Sequence, residues 1–130
     1  MCILWDVREG DVSRKWTFCD FSSVILDVHI QDDSKLAAVA AEEGKLIIYN
    51  LITKEILRTL FHPENLPINR LLISLQPFGT VIFYSMTNGK LYVYSINGQM
   101  LTSKRFKASK ITDMTLSSDS NNMDFLVQLT

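Results

Sequence analysis

Few residues in this chain have the chemistry of a catalytic or metal-binding site. The two histidines, His29 and His62, have no partner at metal-ligand spacing with the two cysteines, Cys2 and Cys19. Asp27 and His29 are two residues apart, so they share a face of a predicted strand and can hydrogen-bond there. We interpret them as a structural pair, because the sequence places no nucleophile beside them. We therefore predict no catalytic, cofactor or metal site, and a protein that is not an enzyme.

The charged residues favour neither acid–base chemistry nor nucleic-acid binding. Asp32 and Asp33 are adjacent in a predicted turn, where carboxylates hydrogen-bond the backbone. The net charge is −1, so no field of one sign attracts nucleic acid or an anionic membrane. We interpret one basic cluster as a solvated strand edge and loop, with a phosphate-binding patch as the alternative; it comprises Lys104, Arg105, Lys107 and Lys110.

The composition is that of an ordinary globular domain. The chain has 130 residues, of which 47% are hydrophobic and 21% charged, enough to build a core. No apolar run approaches the roughly 18 residues of a membrane span, and the first residues lack the pattern of a signal peptide. Two cysteines are too few for a disulfide framework. We therefore expect free thiols and an intracellular protein, in the cytoplasm or nucleus.

An internal repeat organises the elements that position these residues. Residues 31–50 align without a gap on residues 76–95, 45 positions later. Gly44-Lys45-Leu46 then falls on Gly89-Lys90-Leu91, and Tyr49 falls on Tyr94, while Trp5 lies 44 positions before Tyr49. A period of about 40–45 residues is that of a four-stranded β-propeller blade.

Within each repeat the pattern predicts strands and no helix. Residues 24–30 alternate between inward and outward types, and 36–41 and 81–84 are apolar runs typical of central strands. Gly44 and Gly89 supply the hairpin turns that lead into third strands at 46–49 and 91–94. Residues 55–60 and 99–106 have more charge, which predicts fourth strands at the outer edge.

The repeat resembles the WD-repeat family along essentially the whole chain. Trp5-Asp6 is the intact signature dipeptide, and Tyr49-Asn50 and Tyr94-Ser95 occupy the same position in relaxed form. No Gly-His pair opens a repeat, so we expect the Asp-His-Ser-Trp network of strong repeats to be missing, and packing of the aromatic residues to replace it. The signature residues with a predicted structural role are Trp5, Asp6, Gly44, Tyr49, Gly89 and Tyr94.

The resemblance implies an all-β fold that is an open part of a larger propeller. We predict the end of one blade at 1–19, complete blades at 24–61 and 68–107, and the start of a truncated blade at 111–130. Three blades are too few to close a ring that typically needs four to eight. The remaining blades of a larger propeller are therefore expected partners, together with other proteins.

Trp5-Asp6-Val7-Arg8 suggests a more specific partner. It resembles the WDxR ending by which substrate receptors of cullin–RING ubiquitin ligases dock their adaptor. The resemblance implies that Arg8 projects from the loop after a third strand, where its planar guanidinium can make several hydrogen bonds. The alternative is a chance basic residue after the dipeptide.

A second predicted binding surface consists of the loops at one end of the blades. Residues 62–67 contain two prolines, which lower the entropic cost of ordering a loop against a partner. Propellers commonly bind partners through such loops, and the alternative is a simple linker between blades. The predicted partner-binding residues here are Glu43, His62, Glu64, Arg70 and Asn88.

These observations favour a non-enzymatic scaffold of the WD-repeat type that presents its loops to partner proteins. The alternative is the ubiquitin-ligase receptor docking through Arg8. Weaker alternatives are a nucleic-acid-associated propeller using the basic cluster and a membrane-trafficking propeller. The last of these rests on residues 94–98, which look like a blade end of the BEACH-type scaffolds.

Overall fold

Twelve β-strands and no helix occur in the residues that the computed structural model describes, namely 2–8, 10–31, 35–74, 79–105, 111–118 and 123–129. No helix within these ranges is long and apolar enough to cross a membrane. The strands are β1 (Cys2–Arg8), β2 (Asp11–Phe18), β3 (Ile25–Gln31), β4 (Leu36–Ala41), β5 (Lys45–Asn50), β6 (Glu55–Phe61), β7 (Arg70–Ser74), β8 (Thr80–Ser85), β9 (Lys90–Ser95), β10 (Met100–Arg105), β11 (Ile111–Ser118) and β12 (Met123–Leu129).

The strands form two four-stranded antiparallel sheets flanked by two hairpins. The first sheet has the order β3-β4-β5-β6 and the second β7-β8-β9-β10, so each strand pairs with its neighbour in sequence. The first hairpin is β1-β2 and the last hairpin is β11-β12. Short turns between successive strands favour this local pairing.

Burial across each sheet follows the residue types of its strands. All six residues of β4 and all six of β8 are buried, as their apolar runs predict. All six residues of β10 are exposed, and most of β6 is exposed, as predicted for outer-edge strands. The sheets therefore bury their central strands on both faces and leave the fourth strand at the surface.

Each face of the first sheet packs against a different neighbour. Cross-strand partners share a face, so Ala38 and Ile48 lie on one side of the sheet and Val39 and Ile47 on the other. The side toward the second sheet forms the larger core, with Leu36, Ala38, Ala40, Leu46, Ile48, Leu60, Ile68, Leu71, Ile73, Val81, Phe83, Tyr92 and Tyr94. The opposite side packs against the first hairpin, with Val39, Ile47 and Tyr49 meeting Cys2, Leu4 and Trp16.

The repeat register differs from the gapless alignment by one residue. β9 begins 45 positions after β5, as predicted, but β8 begins only 44 positions after β4. The turn between β8 and β9 spans residues 86–89, one residue more than the turn at 42–44 between β4 and β5. The gapless alignment was therefore wrong for the second strand of each repeat, because similar apolar runs conceal an insertion in the turn.

The signature aromatic residues occupy one repeated position in the backbone. A register shift occurs between Leu4 and Trp5 in the first hairpin, and between Ile48 and Tyr49 in the first sheet. The same shift in the second sheet occurs where Tyr94 pairs with Met100. Each is a β-bulge between the strand bearing the aromatic residue and the strand after it. Trp5, Tyr49 and Tyr94 are therefore equivalent positions, and β1 is equivalent to the third strand of each sheet.

Gly44 is required both by its backbone angle and by a close neighbour. Its φ is +82°, and a Cβ there would lie 2.8 Å from the Leu66 carbonyl oxygen. Gly10 has a similar φ of +79° but has nothing within 4 Å of its Cβ position. An alanine at Gly10 would therefore destabilise the fold only through its left-handed conformation, whereas an alanine at Gly44 would add steric crowding against the backbone.

We predict that Gly44→Ala lowers the free energy of unfolding more than Gly10→Ala does. Gly10→Ala should cost about 1–2 kcal/mol, because an L residue is strained at positive φ. Gly44→Ala should cost roughly 2–4 kcal/mol, because backbone must also move away from the new methyl group. Urea denaturation followed by circular dichroism measures both, and equal losses would contradict the predicted close approach.

Candidate partner-binding face

Glu43, on the turn between β4 and β5, is bonded to the segment that precedes β3. Its carboxylate accepts hydrogen bonds from the Ser22 amide at 3.0 Å and the Ser22 hydroxyl at 2.7 Å. The Glu43 amide donates in return to the Ser23 hydroxyl at 2.9 Å. The hydrogen bond from the Ser22 hydroxyl lowers the pKa of Glu43. This predicted binding residue therefore holds its own turn against the linker.

Asn88 makes the corresponding connection one repeat later. Its amide nitrogen donates to Glu64 Oε2 at 2.7 Å and to the Tyr92 hydroxyl at 3.1 Å. The Asn88 side-chain oxygen accepts the Lys90 amide at 3.0 Å, which fixes the turn. In both repeats a polar side chain thus joins the turn between the second and third strands to the linker before the first strand.

Residues 62–69 lie between these two turns and complete a continuous surface. The His62 amide donates to the Gly44 carbonyl at 2.8 Å, and the Leu66 carbonyl is the close neighbour of Gly44. Glu64 connects the same linker to Asn88. We call this surface, comprising residues 19–24, 42–44, 63–69 and 86–89, the loop face. It contains the predicted Glu43, Glu64 and Asn88.

His62 lies beneath the loop face and not on it. Its side chain is 1% exposed and packs against Tyr92 and Phe83, with ring centroids 4.8 and 6.0 Å away. Its Nδ1 accepts the Glu64 amide at 3.0 Å, which places the proton of the neutral ring on a buried Nε2. The prediction that His62 contacts a partner is corrected, because its aromatic neighbours bury it.

Arg70 and Met86 lie beside the linker at the edge of the loop face. Arg70 begins β7 and is exposed, and its guanidinium donates to the Asn69 carbonyl at 2.8 Å. Met86 is 48% exposed, and its amide donates to the Asn69 side chain at 2.8 Å. The sequence predicts Arg70 as a partner contact but gives no prediction for Met86 or Asn69. Their only signal was a position in or beside a predicted loop.

Asp27 and His29 form a seam between the first and second sheets. Asp27 Oδ2 accepts the Leu71 amide at 2.9 Å, and His29 Nδ1 accepts the Ile73 amide at 2.9 Å. Asp27 Oδ1 also accepts the Val28 amide at 3.0 Å. Both side chains therefore satisfy backbone donors of β7, an edge strand of its sheet. The structural interpretation of this pair fits these contacts.

A second polar contact, which sequence reasoning missed, holds the linker after the first hairpin. The hydroxyl of fully buried Tyr49 donates to Asp20 Oδ2 at 2.9 Å, and Lys45 Nζ donates to the Asp20 carbonyl at 2.7 Å. Trp16 meets the Tyr49 ring edge-on at 5.4 Å. Burial and the bond to Asp20 raise the pKa of Tyr49. Tyr49 thus packs on the hairpin and also anchors the chain that leaves it.

Several predicted positions lie wholly or partly outside the described residues. β1 extends to Arg8, which pairs with Asp11. Arg8 therefore lies at the end of a strand and not, as predicted, in the loop after it. The side chains of Asp6 and Arg8 lie outside the described residues. Lys104 and Arg105 are exposed on β10. Four other predicted residues lie wholly outside the described ranges, namely Asp32, Asp33, Lys107 and Lys110.

Both cysteines, Cys2 and Cys19, are free thiols. No group of three or more potential ligands among the described histidine, cysteine, aspartate and glutamate residues could hold a metal ion.

Comparison with solved structures identifies the arrangement of sheets. The chain is similar to the crystal structure of Saccharomyces cerevisiae Sqt1, with a TM-score of 0.62, 12% identity, and coverage of 90% of this chain and 32% of that chain. It is also similar to BBS1N in a crystal structure with ARL6DN, with a TM-score of 0.50, 15% identity, and coverage of 89% and 52%. These neighbours are β-propeller proteins. The chain has a propeller-type fold.

The two sheets are therefore blades, and the hairpins are partial blades, which confirms the predicted fold class. The chain spans about a third of the first of these propeller proteins and half of the second. No protein-family model matches the chain, and no curated protein matches it.

We predict that removing the Asp27 carboxylate weakens the seam. Asp27→Ala should lower the free energy of unfolding by roughly 1–3 kcal/mol, because it leaves a partly buried β7 amide without its acceptor. Asp27→Asn should cost less, because one side-chain oxygen remains as an acceptor. Denaturant unfolding of the two variants measures the difference, and equal destabilisation would count against an acceptor role.

We also predict that mild acid destabilises the fold through both histidines. Burial lowers the pKa of His29, and the charge of Asp27 opposes this shift. Burial also lowers the pKa of His62, where the charge of Glu64 opposes the shift and that of Lys90 adds to it. A folded-state pKa below the unfolded value means that the unfolded chain binds more protons. Stability is therefore full above about pH 6.5 and falls as the pH drops below it.

The measurement is the urea midpoint at pH 7.5 and at pH 5.5, a window above the range in which ordinary carboxylates titrate. The wild-type midpoint should fall, because protonated Nδ1 atoms cannot accept the Ile73 and Glu64 amides. A His29→Gln, His62→Gln double variant should show a smaller change between the two pH values. An equal change in both proteins would assign the pH dependence to other groups.

Proposed function

We propose that the protein is a non-enzymatic interaction scaffold that binds a partner protein through the loop face. The observation that supports this most is the repeated bonding of turns to linkers, Glu43 to Ser22 and Asn88 to Glu64. These bonds hold the loop face in one conformation before a partner arrives. A preorganised surface loses less conformational entropy on binding, so more of the contact energy contributes to affinity.

The side chains left outward on the loop face suit a protein partner. Pro63, Glu64, Asn65 and Thr87 are exposed and polar or rigid, and Met86 adds an exposed, adaptable apolar contact. Arg70 stands at the edge of this group. Protein interfaces combine an apolar or aromatic centre with a polar rim, and arginine and methionine are enriched in them.

We further propose that the scaffold is of the WD-repeat type. The equivalent bulges at Trp5, Tyr49 and Tyr94 support it, because they place the one intact Trp-Asp dipeptide in register with both complete blades. The network typical of the family would be replaced here by Glu43 with Ser22, and by Asn88 with Glu64 and Tyr92. On this proposal we expect an intracellular location, consistent with the free thiols.

A neighbouring propeller supports protein binding in general. BBS1N was crystallised in complex with ARL6DN, so a related fold binds another protein. The alternative of a ubiquitin-ligase receptor rests on the Trp5-Asp6-Val7-Arg8 motif, which ends β1. The two proposals place the contact on different parts of the chain and can be separated by mutation.

We predict that Met86→Asp removes partner proteins captured from cells by the tagged chain, at least about tenfold, because a charge would replace an apolar contact. The matched control is Ile52→Asp, an equally drastic change at a 74% exposed residue in the turn before β6. Quantitative mass spectrometry measures each partner. If a partner is lost with Ile52→Asp but kept with Met86→Asp, the proposal that the loop face binds it is refuted. Loss of a cullin adaptor with Arg8→Ala alone would favour the alternative.

A further inference from the structure

Two asparagine–glycine pairs lie in successive turns of the second blade and have different surroundings. Asn88-Gly89 lies in the turn between β8 and β9, on the loop face, and Asn97-Gly98 lies in the turn between β9 and β10. An asparagine followed by glycine loses its side-chain amide readily, because glycine has no Cβ to hinder attack by its own backbone nitrogen. The two pairs therefore have the same intrinsic chemistry, and only the fold can distinguish them.

The backbone of the two turns gives the two pairs similar protection. The Gly89 amide donates to the Ser85 carbonyl at 3.0 Å, and the Gly98 amide donates to the Ser95 carbonyl at 2.9 Å. The attacking nitrogen must lose its proton, so in each turn one backbone hydrogen bond has to open before the reaction can start. This requirement slows both pairs relative to the unfolded chain and favours neither of them.

The side chains of the two asparagines differ in their hydrogen bonds. Asn88 Nδ2 donates to Glu64 Oε2 at 2.7 Å and to the Tyr92 hydroxyl at 3.1 Å, and Asn88 Oδ1 accepts the Lys90 amide at 3.0 Å. Asn97 is exposed, and its side chain has no hydrogen bond to any residue that the structure describes. The Asn88 side chain can react only after its bonds break, whereas an exposed side chain without bonds rotates on a fast timescale.

We propose that Asn97 is a site of spontaneous deamidation and that the hydrogen bonds of Asn88 protect the other pair from the same reaction. The Gly98 backbone nitrogen attacks Asn97 Cγ, so that a new Cγ–N bond forms and the Cγ–Nδ2 bond breaks. Ammonia leaves with the proton of the backbone nitrogen, and a cyclic imide remains. Water then adds to either imide carbonyl, which gives aspartate or isoaspartate. The net reaction consumes water, releases ammonia and requires no oxidant or reductant.

Protection of Asn88 matters for the loop face because the product of its deamidation would oppose Glu64. A carboxylate oxygen would replace the Nδ2 donor, which now lies 2.7 Å from Glu64 Oε2. Two carboxylates this close repel each other, so the bond that joins the turn to the linker would be lost. The same reaction at Asn97 adds a negative charge to an exposed turn outside the loop face. The bonds that shape the loop face therefore also preserve the residue that makes them.

The test is peptide mapping of the purified chain by mass spectrometry during incubation near neutral pH, with chromatography to separate aspartate from isoaspartate. In the folded chain Asn97 should deamidate at least about tenfold faster than Asn88, because Asn88 reacts only from the small population in which its side chain is released. In guanidinium chloride the two rates should become similar, since the fold no longer distinguishes the pairs. An Asn97 rate in the folded chain that does not exceed the Asn88 rate would overturn the proposal.

A double variant tests whether the hydrogen bonds of Asn88 are the cause of its protection. Glu64→Ala with Tyr92→Phe removes both acceptors of Asn88 Nδ2 and should raise the Asn88 rate about tenfold or more. Asn97 in the same molecule should keep its wild-type rate, and it reports on unfolding, which would accelerate both reactions. If both rates rise, Tyr92→Phe alone replaces the double variant, because it removes one acceptor and keeps the aromatic ring.

The matched control is Glu55→Ala with Tyr94→Phe, which removes an exposed carboxylate and the hydroxyl of a second core tyrosine. It should change neither rate, because neither group contacts Asn88. An Asn88 rate that is equal in the two double variants would refute protection by these bonds. The proposal goes beyond partner binding, so capture of partners through Met86 can succeed or fail independently of it.

Discussion

The contact between β3 and β7 is the constraint on which the rest of the structure depends. A blade pairs its strands only with one another, so its innermost strand presents a row of backbone donors that the sheet itself does not satisfy. Asp27 and His29 accept two of these donors, Leu71 N–H and Ile73 N–H. The seam thereby satisfies polar groups at a buried joint, where a donor without an acceptor costs more than a hydrogen bond normally contributes. It also fixes the register of one blade against the next.

Packing beside the seam explains the composition of the central strands. β4 must bury both faces, one toward the second blade and one toward the first hairpin, and four of its six residues are alanine. Small side chains there let the bulkier Phe83, Tyr92 and Tyr94 of the next blade approach closely. Interiors are close-packed, so a large aromatic group on one face requires a small residue opposite. The blades are therefore similar in backbone and complementary in side-chain size.

Much of the fold could be predicted because its signals are local. Apolar runs, turn glycines and charged outer strands each depend on a few consecutive residues, so the strands of both blades lie close to their predicted positions. The one-residue shift between β4 and β8 could not be predicted from the sequence, because the apolar runs of the two strands align on each other equally well with or without it. Only the pairing of Tyr94 with Val81, against Tyr49 with Ala37, resolves it. Register is a property of pairs of strands and not of one strand.

The site was predicted less completely, because exposure is a tertiary property. His62 and Glu64 are two residues apart in one polar loop, yet His62 enters an aromatic pocket while Glu64 remains at the surface. The sequence of the loop does not show that the His62 ring packs against Phe83 and Tyr92. The same limit applies to Glu43, whose carboxylate is bound to Ser22, 21 residues away.

Polar residues on propeller loops therefore divide into two groups with different physical tasks. The side chains of Glu43 and Asn88 form hydrogen bonds within the chain, and these bonds fix the shape of the turns. Neighbours such as Met86 and Pro63, which make no comparable bond through their side chains, are then displayed in a defined geometry. A residue that shapes a surface and a residue that contacts a partner have different requirements, since the first needs satisfied bonds and the second needs exposed area.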